Sequence, residues 1–177
     1  GYSIDDPLTS KGWSQMRSAI PENPRWQHIV SSPLKRCLEF SRELADSLQI
    51  GCSVEENIKE IGFGAWEGKT PDEILAGDSQ ALHRFYQDPV HNRPEGAEPL
   101  DVFSQRVWQA YQSIIETHQA EHVLLVAHAG VARAIIANIL NMSLDDVYSR
   151  LRIEYGAVVC TSVDDDLPPR LLIHGSE

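Results

Sequence analysis

His122-Val123-Leu124-Leu125-Val126-Ala127-His128-Ala129-Gly130 is the stretch whose reading decides the fold. Its apolar run is short and uninterrupted, the pattern of a central parallel strand buried on both faces. An apolar helix over residues 130–140 begins directly after it. A strand feeding straight into a helix is the unit of an α/β domain, and the remaining chain repeats it.

Residues 26–30 read as a second buried strand. Ser31, Ser32 and Pro33 then form a helix start, a serine cap with proline at the first helical position. That helix runs to about residue 49, with Leu34, Leu38, Ser41 and Ala45 near one stripe. Residues 52–55 form a strand, followed by a glycine-rich turn over 62–68, short helices over 71–87 and a loop over 88–99. A helix over 100–118 places Phe103, Val107, Ala110 and Ile114 on one face. Upstream, a short helix over 10–20 ends at Pro21. Closing strands over 155–163 and 170–174 flank an acidic turn, Asp164-Asp165-Asp166-Leu167-Pro168-Pro169. The fold expected is a three-layer α/β sandwich, a mostly parallel central sheet with helices on both faces, in a single domain over residues 1–177.

Composition narrows the function. Ordinary apolar and charged fractions, 42% and 23%, exclude a globally disordered chain. The longest apolar stretch, residues 123–127, is too short to span a bilayer, so no membrane partner is expected. A net charge of −11 with scattered basic residues speaks against nucleic acid. It still permits a local anion site built from a few Arg, His and backbone N–H groups. Cys37, Cys52 and Cys160 show no metal-type spacing, and their odd count reads as reduced thiols in a cytoplasmic protein. Asp164, Asp165 and Asp166 read as a solvated turn, and no metal or cofactor is assigned.

Ligands of such sheets bind at the carboxyl ends of the strands, which selects residues 31–36, 60–68 and 128–130. His128 ends a buried strand beside the unsatisfied N–H groups that open the next helix, at Ala129 and Gly130, a phosphate-sized anion site. The competing reading is a core histidine bonded to a backbone carbonyl. Arg36 lies in the first turn of its helix, where a cation opposes the dipole, and its fork suits phosphate oxygens. Taken alone, it reads as a solvated arginine. Glu60 and Glu67 flank aromatics and glycines in a tight turn, where burial could raise a carboxyl pKa toward a general acid's. Exposed charge is the alternative for both.

Together these segments resemble the histidine phosphatase superfamily, the phosphoglycerate mutase-like family. Its S-S-P-x-x-R-x-x-x-T-A helix start corresponds to Ser31-Ser-Pro-Leu-Lys-Arg-Cys-Leu-Glu-Phe-Ser. The family's E-x-x-F-G-x-W-E-G turn corresponds to Glu60-Ile-Gly-Phe-Gly-Ala-Trp-Glu-Gly, and V-x-H-G-G to Val126-Ala-His-Ala-Gly. Asp6-Pro-Leu-Thr-Ser-Lys-Gly12 resembles the D-x-P-L-T-x-x-G helix entry. The resemblance implies that Arg36 clamps phosphate and His128 hydrogen-bonds the transferring phosphoryl group. It implies that Glu60 protonates the leaving oxygen and then activates water. The family's nucleophile is the histidine of an R-H-G motif ending the first strand, which becomes a phosphohistidine without a metal.

No R-H-G occurs in these residues, and His28, His83, His91, His118, His122 and His174 offer no substitute. The first strand, its arginine and its nucleophilic histidine are expected upstream of Gly1. Ala129 stands in place of glycine, and Phe40-Ser41 in place of Thr-Ala. The compact spacing from Glu60 to His128 resembles the phosphatase branch, which includes broad-specificity and α-ribazole phosphatases. The expected function is therefore hydrolysis of a small-molecule phosphate ester, with a homodimer compatible. The alternatives are a mutase-type phosphotransferase, or an inactive module binding a phospho-ligand or a protein. Substrate contacts are expected from residues 68–99, with Arg84, His91 and Arg93 as contributors or as surface residues.

Overall fold

The computed structural model describes residues 1–164 and 167–173. Three strands form a parallel sheet in the order β2-β1-β3: β1 His28–Ser31, β2 Gly51–Val54 and β3 Val123–Val126. Ser31 is in register with both Val54 and Val126, so all three strands end at one level. Two backbone bonds continue the pairing past that edge, Ser32 N–H to the Val126 carbonyl and Glu55 N–H to the Ser31 carbonyl, both 2.9 Å. The chain segments leaving β1, β2 and β3 thus emerge side by side.

Alternation along the strands sends apolar side chains to two separate cores. Ile29 and Val126 pack with Cys37, Phe40, Leu44 and Ala45 of α2 (Lys35–Leu48), and Trp13 and Met16 of α1 (Ser10–Ser18) close that side. On the opposite face Val30 packs with Phe103 and Val107 of α5 (Leu100–Thr117) and with Val131, Ala134 and Ile135 of α6 (Ala129–Leu140). Helices therefore cover both faces of a parallel sheet, the three-layer arrangement expected. Between β2 and α5 lie two helices, α3 (Pro71–Gly77) and α4 (Ala81–Gln87), and two 3₁₀ turns, Glu56–Ile58 and Gly64–Trp66.

Four local expectations change. First, α2 starts at Lys35 with Leu34 as the residue before it and no side-chain cap, so Ser31, Ser32 and Pro33 precede the helix instead of capping it. Asp5 supplies the missing acceptor, its Oδ1 taking the Lys35 N–H at 2.7 Å. Second, a further helix, α7 (Leu144–Arg150), follows α6. Its signal is a serine cap: Ser143 Oγ accepts the Asp146 N–H at 3.1 Å. At seven residues it is too short to show a period. Third, residues 155–159 are not a strand, and pairing starts only at Cys160. Fourth, β4 (Cys160–Asp164) and β5 (Leu167–Leu172) form an antiparallel two-stranded sheet of their own. The acidic turn's Asp165 and Asp166, and His174, lie outside the described residues. Among those described, β3 pairs with β1 alone.

Candidate active site

His128 follows β3 and precedes α6 in extended conformation, with φ −128° and ψ 163°. Its carbonyl accepts the first helical bond, from Ala132 N–H at 3.0 Å, and its ring is left at the mouth of the helix. The Nε2 atom lies 2.7 Å from Ser32 Oγ, at the end of the neighbouring strand β1. Cys37 Sγ approaches the same nitrogen at 3.7 Å and donates to the Ala127 carbonyl at 3.4 Å. Burial, reinforced by the positive charge of Arg36, pushes the His128 pKa down to about 3, so the imidazole is neutral at ordinary pH. Burial likewise pushes the Cys37 thiol up to about 12, which keeps it a protonated donor.

Glu60 reaches this point from the loop after β2. Its Oε1 accepts the Ile61 N–H at 2.9 Å and its Oε2 accepts the Gly130 N–H at 3.3 Å. A Cβ on Gly130 would collide with the Glu60 carboxylate, so the second residue of α6 must be glycine for this approach. The turn that carries Glu60 is held from behind by Arg106 of α5. Its guanidinium pairs with Glu98 through two bonds, of 2.7 and 2.9 Å, and donates to the carbonyls of Lys59 and Glu60 at 3.1 and 3.4 Å. Both members of the Arg106–Glu98 pair are largely buried.

Glu67 has a different environment. Its Oε1 accepts the Phe63 N–H at 2.8 Å and its Oε2 the Ser3 N–H at 2.6 Å. Burial acts to raise its pKa, but the Phe63 and Ser3 donors outweigh it and hold the carboxyl below its ordinary range. Both oxygens are engaged, Oε1 closing the turn on itself and Oε2 tying it to the start of the chain.

Arg36 is the second residue of α2, half-buried, with Nη2 donating to the Gly1 carbonyl at 3.0 Å. Its charge acts on His128, although no direct bond joins them. Ala129 opens α6, so its N–H and that of Gly130 belong to the helix turn that lacks internal acceptors. A cavity of about 310 Å³ opens beside the turn, lined by Gly1, Phe63, Trp66, Glu67 and Phe85 among others. A second hollow, about 400 Å³, lies between α1 and Tyr155–Gly156 and touches none of these residues. Among the described residues no cluster of His, Cys, Asp and Glu is placed to hold a metal. Nor is any helix long and apolar enough to cross a membrane.

The fold thus gathers Glu60, His128, Gly130 and, at longer range, Arg36. It leaves Arg84 and His91 on the surface, paired with Asp78 and Asp88. Arg93, by contrast, turns inward. Ser32, Cys37 and Arg106 were not legible as members of the site. Ser32 reads in sequence as part of a helix start, Cys37 only as a reduced thiol without metal-type spacing, and Arg106 carries no local signal.

The same arrangement of elements recurs in known proteins. A structure of Bacillus stearothermophilus YhfR superposes with a TM-score of 0.84 at 31% identity, covering 98% of this chain and 86% of that one. The α-ribazole phosphatase of Shigella flexneri gives a TM-score of 0.80 at 22% identity, over 99% and 88%, a likeness of fold alone. In sequence, the adenosylcobalamin/α-ribazole phosphatase of Escherichia coli is 24% identical over 152 residues, 85% of this chain and 74% of that protein. Phosphoserine phosphatase 1 of Hydrogenobacter thermophilus is 27% identical over 149 residues, 82% and 70%. The family model of the histidine phosphatase superfamily (branch 1) matches residues 1–172, and this chain is a member of that superfamily.

Proposed function

We propose that the protein hydrolyses small phosphate monoesters through a phosphohistidine, with Glu60, His128 and Arg36 in the reaction and the nucleophilic histidine on a segment preceding Gly1. The observation that carries this reading is the Glu60–Gly130 bond. It puts a carboxyl group beside a neutral imidazole and the donor-rich start of a helix, so a proton source and an anion cradle share one cleft.

In the first step an upstream imidazole nitrogen attacks phosphorus and the P–O bond to the alcohol breaks. Glu60, protonated, gives its proton to the departing oxygen. In the second step the Glu60 carboxylate takes a proton from water as its oxygen attacks phosphorus, and the P–N bond breaks to release phosphate. Arg36 and the N–H group of Ala129 offset charge on the equatorial oxygens, while His128 hydrogen-bonds one of them and the Gly130 N–H holds Glu60 in place. The relatives named as phosphatases of α-ribazole and phosphoserine support a small-molecule ester as the substrate class. An upstream strand is supported by β3, which among the described residues pairs with β1 alone, and by the separate two-stranded sheet that β4 and β5 form.

The test uses the full-length protein with p-nitrophenyl phosphate and a panel of natural monoesters. Phosphate release, together with a protein-bound phosphate stable in alkali and lost in acid, is expected. Tight phosphate binding with no turnover of any ester would replace this reading with the binding module. Transfer to a second alcohol in preference to water would replace it with the phosphotransferase.

A further inference from the structure

Arg93 lies in the loop between α4 and α5, yet its guanidinium is drawn into the protein. Its Nη2 donates to the Gly62 carbonyl at 3.0 Å, two residues beyond Glu60. The Nε and Nη1 atoms are buried with no hydrogen-bond partner, and no carboxylate among the described residues pairs with them. The rings of Phe63 and Phe85 stand 5.1 and 5.8 Å from its Cζ. Tyr148 of α7 presents a second orphan, a buried hydroxyl without a partner, with Arg133 stacked 5.3 Å from its ring.

These groups are electrostatic neighbours of Glu60. After burial itself, which lowers the Arg93 pKa, Tyr148 acts most strongly on Arg93, followed by Glu98 and Glu60. Glu60 in turn is the charge that most raises the Tyr148 pKa, second only to burial. The cluster therefore adjoins the Glu60 turn and contributes hydrogen-bond donors with nothing to accept them. A buried donor without an acceptor is unfavourable, and a planar guanidinium fork beside a phenol matches a group that only accepts. Phe63 and Phe85, the two rings against the guanidinium, also line the cavity of about 310 Å³. Because protein covers both orphan nitrogens, binding requires Arg93 to swing on its flexible stem, restrained by the single bond to Gly62.

We infer that Arg93 and Tyr148 form a second anion subsite, which takes a carboxylate or phosphate carried on the alcohol portion of the phosphate ester. This deepens the phosphomonoesterase reading and rests on it. A substrate held at both ends would be oriented for attack, so the preference appears in kcat/KM as well as in binding.

The experiment compares 2-phosphoglycolate with ethyl phosphate, and propane-1,3-diol bisphosphate with propyl phosphate, in wild type, Arg93→Met, Arg93→Lys and Tyr148→Phe. Each pair differs by the second anion, and taking the ratio of kcat/KM within a pair cancels general damage to the enzyme. The ratio is expected to fall about 10–100-fold in Arg93→Met and about 3–10-fold in Tyr148→Phe, with partial rescue in Arg93→Lys. Whichever pair shows the larger fall identifies the anion as carboxylate or phosphate. A ratio within about twofold of wild type in both Arg93→Met and Tyr148→Phe overturns the subsite, because a merely structural role lowers both substrates together. If Arg93→Met does not fold, Arg93→Lys and Tyr148→Phe decide. Should wild type hydrolyse none of the esters, the phosphatase reading fails. The subsite is then judged by titration calorimetry with phosphonoacetate against ethylphosphonate, on the same ratio.

Discussion

Glu60 and Gly130, 70 positions apart in the chain, meet where the Glu60 carboxylate accepts the backbone N–H of Gly130 at 3.3 Å. No side chain fits between them, since a Cβ on Gly130 would occupy the space of the Glu60 oxygens. Gly130→Ala must therefore displace either Glu60 or the start of α6. We expect a loss of about 1–3 kcal/mol in stability and about 100-fold in kcat/KM, since small misplacements at a reacting centre are amplified in rate. Urea melts and steady-state assays of the variant check both, and wild-type kinetics would show that the contact is incidental.

The two glutamates of the turn separate by variant. Glu60→Gln keeps the shape but turns one of the two acceptor oxygens into an NH2 donor and cannot carry the proton, and a loss of about 10²–10⁴-fold in kcat is expected. Glu67→Ala leaves the Phe63 and Ser3 N–H groups without their carboxylate acceptor, with an expected loss of about 1 kcal/mol in stability. Its kcat should stay within about tenfold of wild type. The reverse outcome, activity lost at Glu67 and retained at Glu60, would move the proton donor to Glu67.

Arg106 acts on Glu60 through the backbone. Arg106→Met strands Glu98 in a largely buried site and frees the Lys59 and Glu60 carbonyls, so a destabilisation of about 3–5 kcal/mol is expected. Adding Glu98→Gln should recover part of it, because the uncompensated charge is then gone. Chemical denaturation of both single variants and the double variant measures that coupling, and strict additivity would contradict it.

Stability should fall on acidification, first through His128. Its folded pKa, about 3, lies below the ordinary value of 6.5, so between those pH values the unfolded chain binds a proton that the folded chain does not. The contribution is complete above about pH 6.5 and is lost as pH drops toward 3, at no more than about 1.4 kcal/mol per pH unit. Glu67, whose folded pKa is depressed, adds a loss beginning near its ordinary 4.5. Thermal melts from pH 7.5 to pH 4 should slope downward in wild type and be flatter in His128→Asn. Equal slopes would remove His128 as the source.

Much of the fold was legible because its signals are local. The run from Val123 to Val126 is apolar at every position and leads into a helix, so it was readable as a parallel strand. Among the described residues, however, β1 is central, while β3 pairs with β1 alone and is only partly buried up to Val126. Helix α5 was readable from Phe103, Val107 and Ala110, all now buried at its core face. Periodicity failed where elements are short, as at α7, and where apolar residues do not pair, as at Val158 and Val159 ahead of β4. Arg36, Glu60, His128, Ala129 and Gly130 could be nominated in sequence because each sits at a strand-to-helix junction or in a glycine-rich turn.

Their relationships could not. Ser32 meets His128 across 96 positions of sequence, and Arg106 meets the Glu60 carbonyl across 46, distances over which no spacing rule operates. Arg93 carries the same lesson: an arginine in a polar loop reads as solvated, and only packing against Phe63 and Phe85 makes it a half-buried cation with two covered, unmet donors. Local patterning determined which segments are strands and helices and which residues flank their ends, because φ/ψ preference and hydrophobic period act within a few residues. The register of three parallel strands decided which of those ends share a cleft, because that choice depends on long-range pairing and burial.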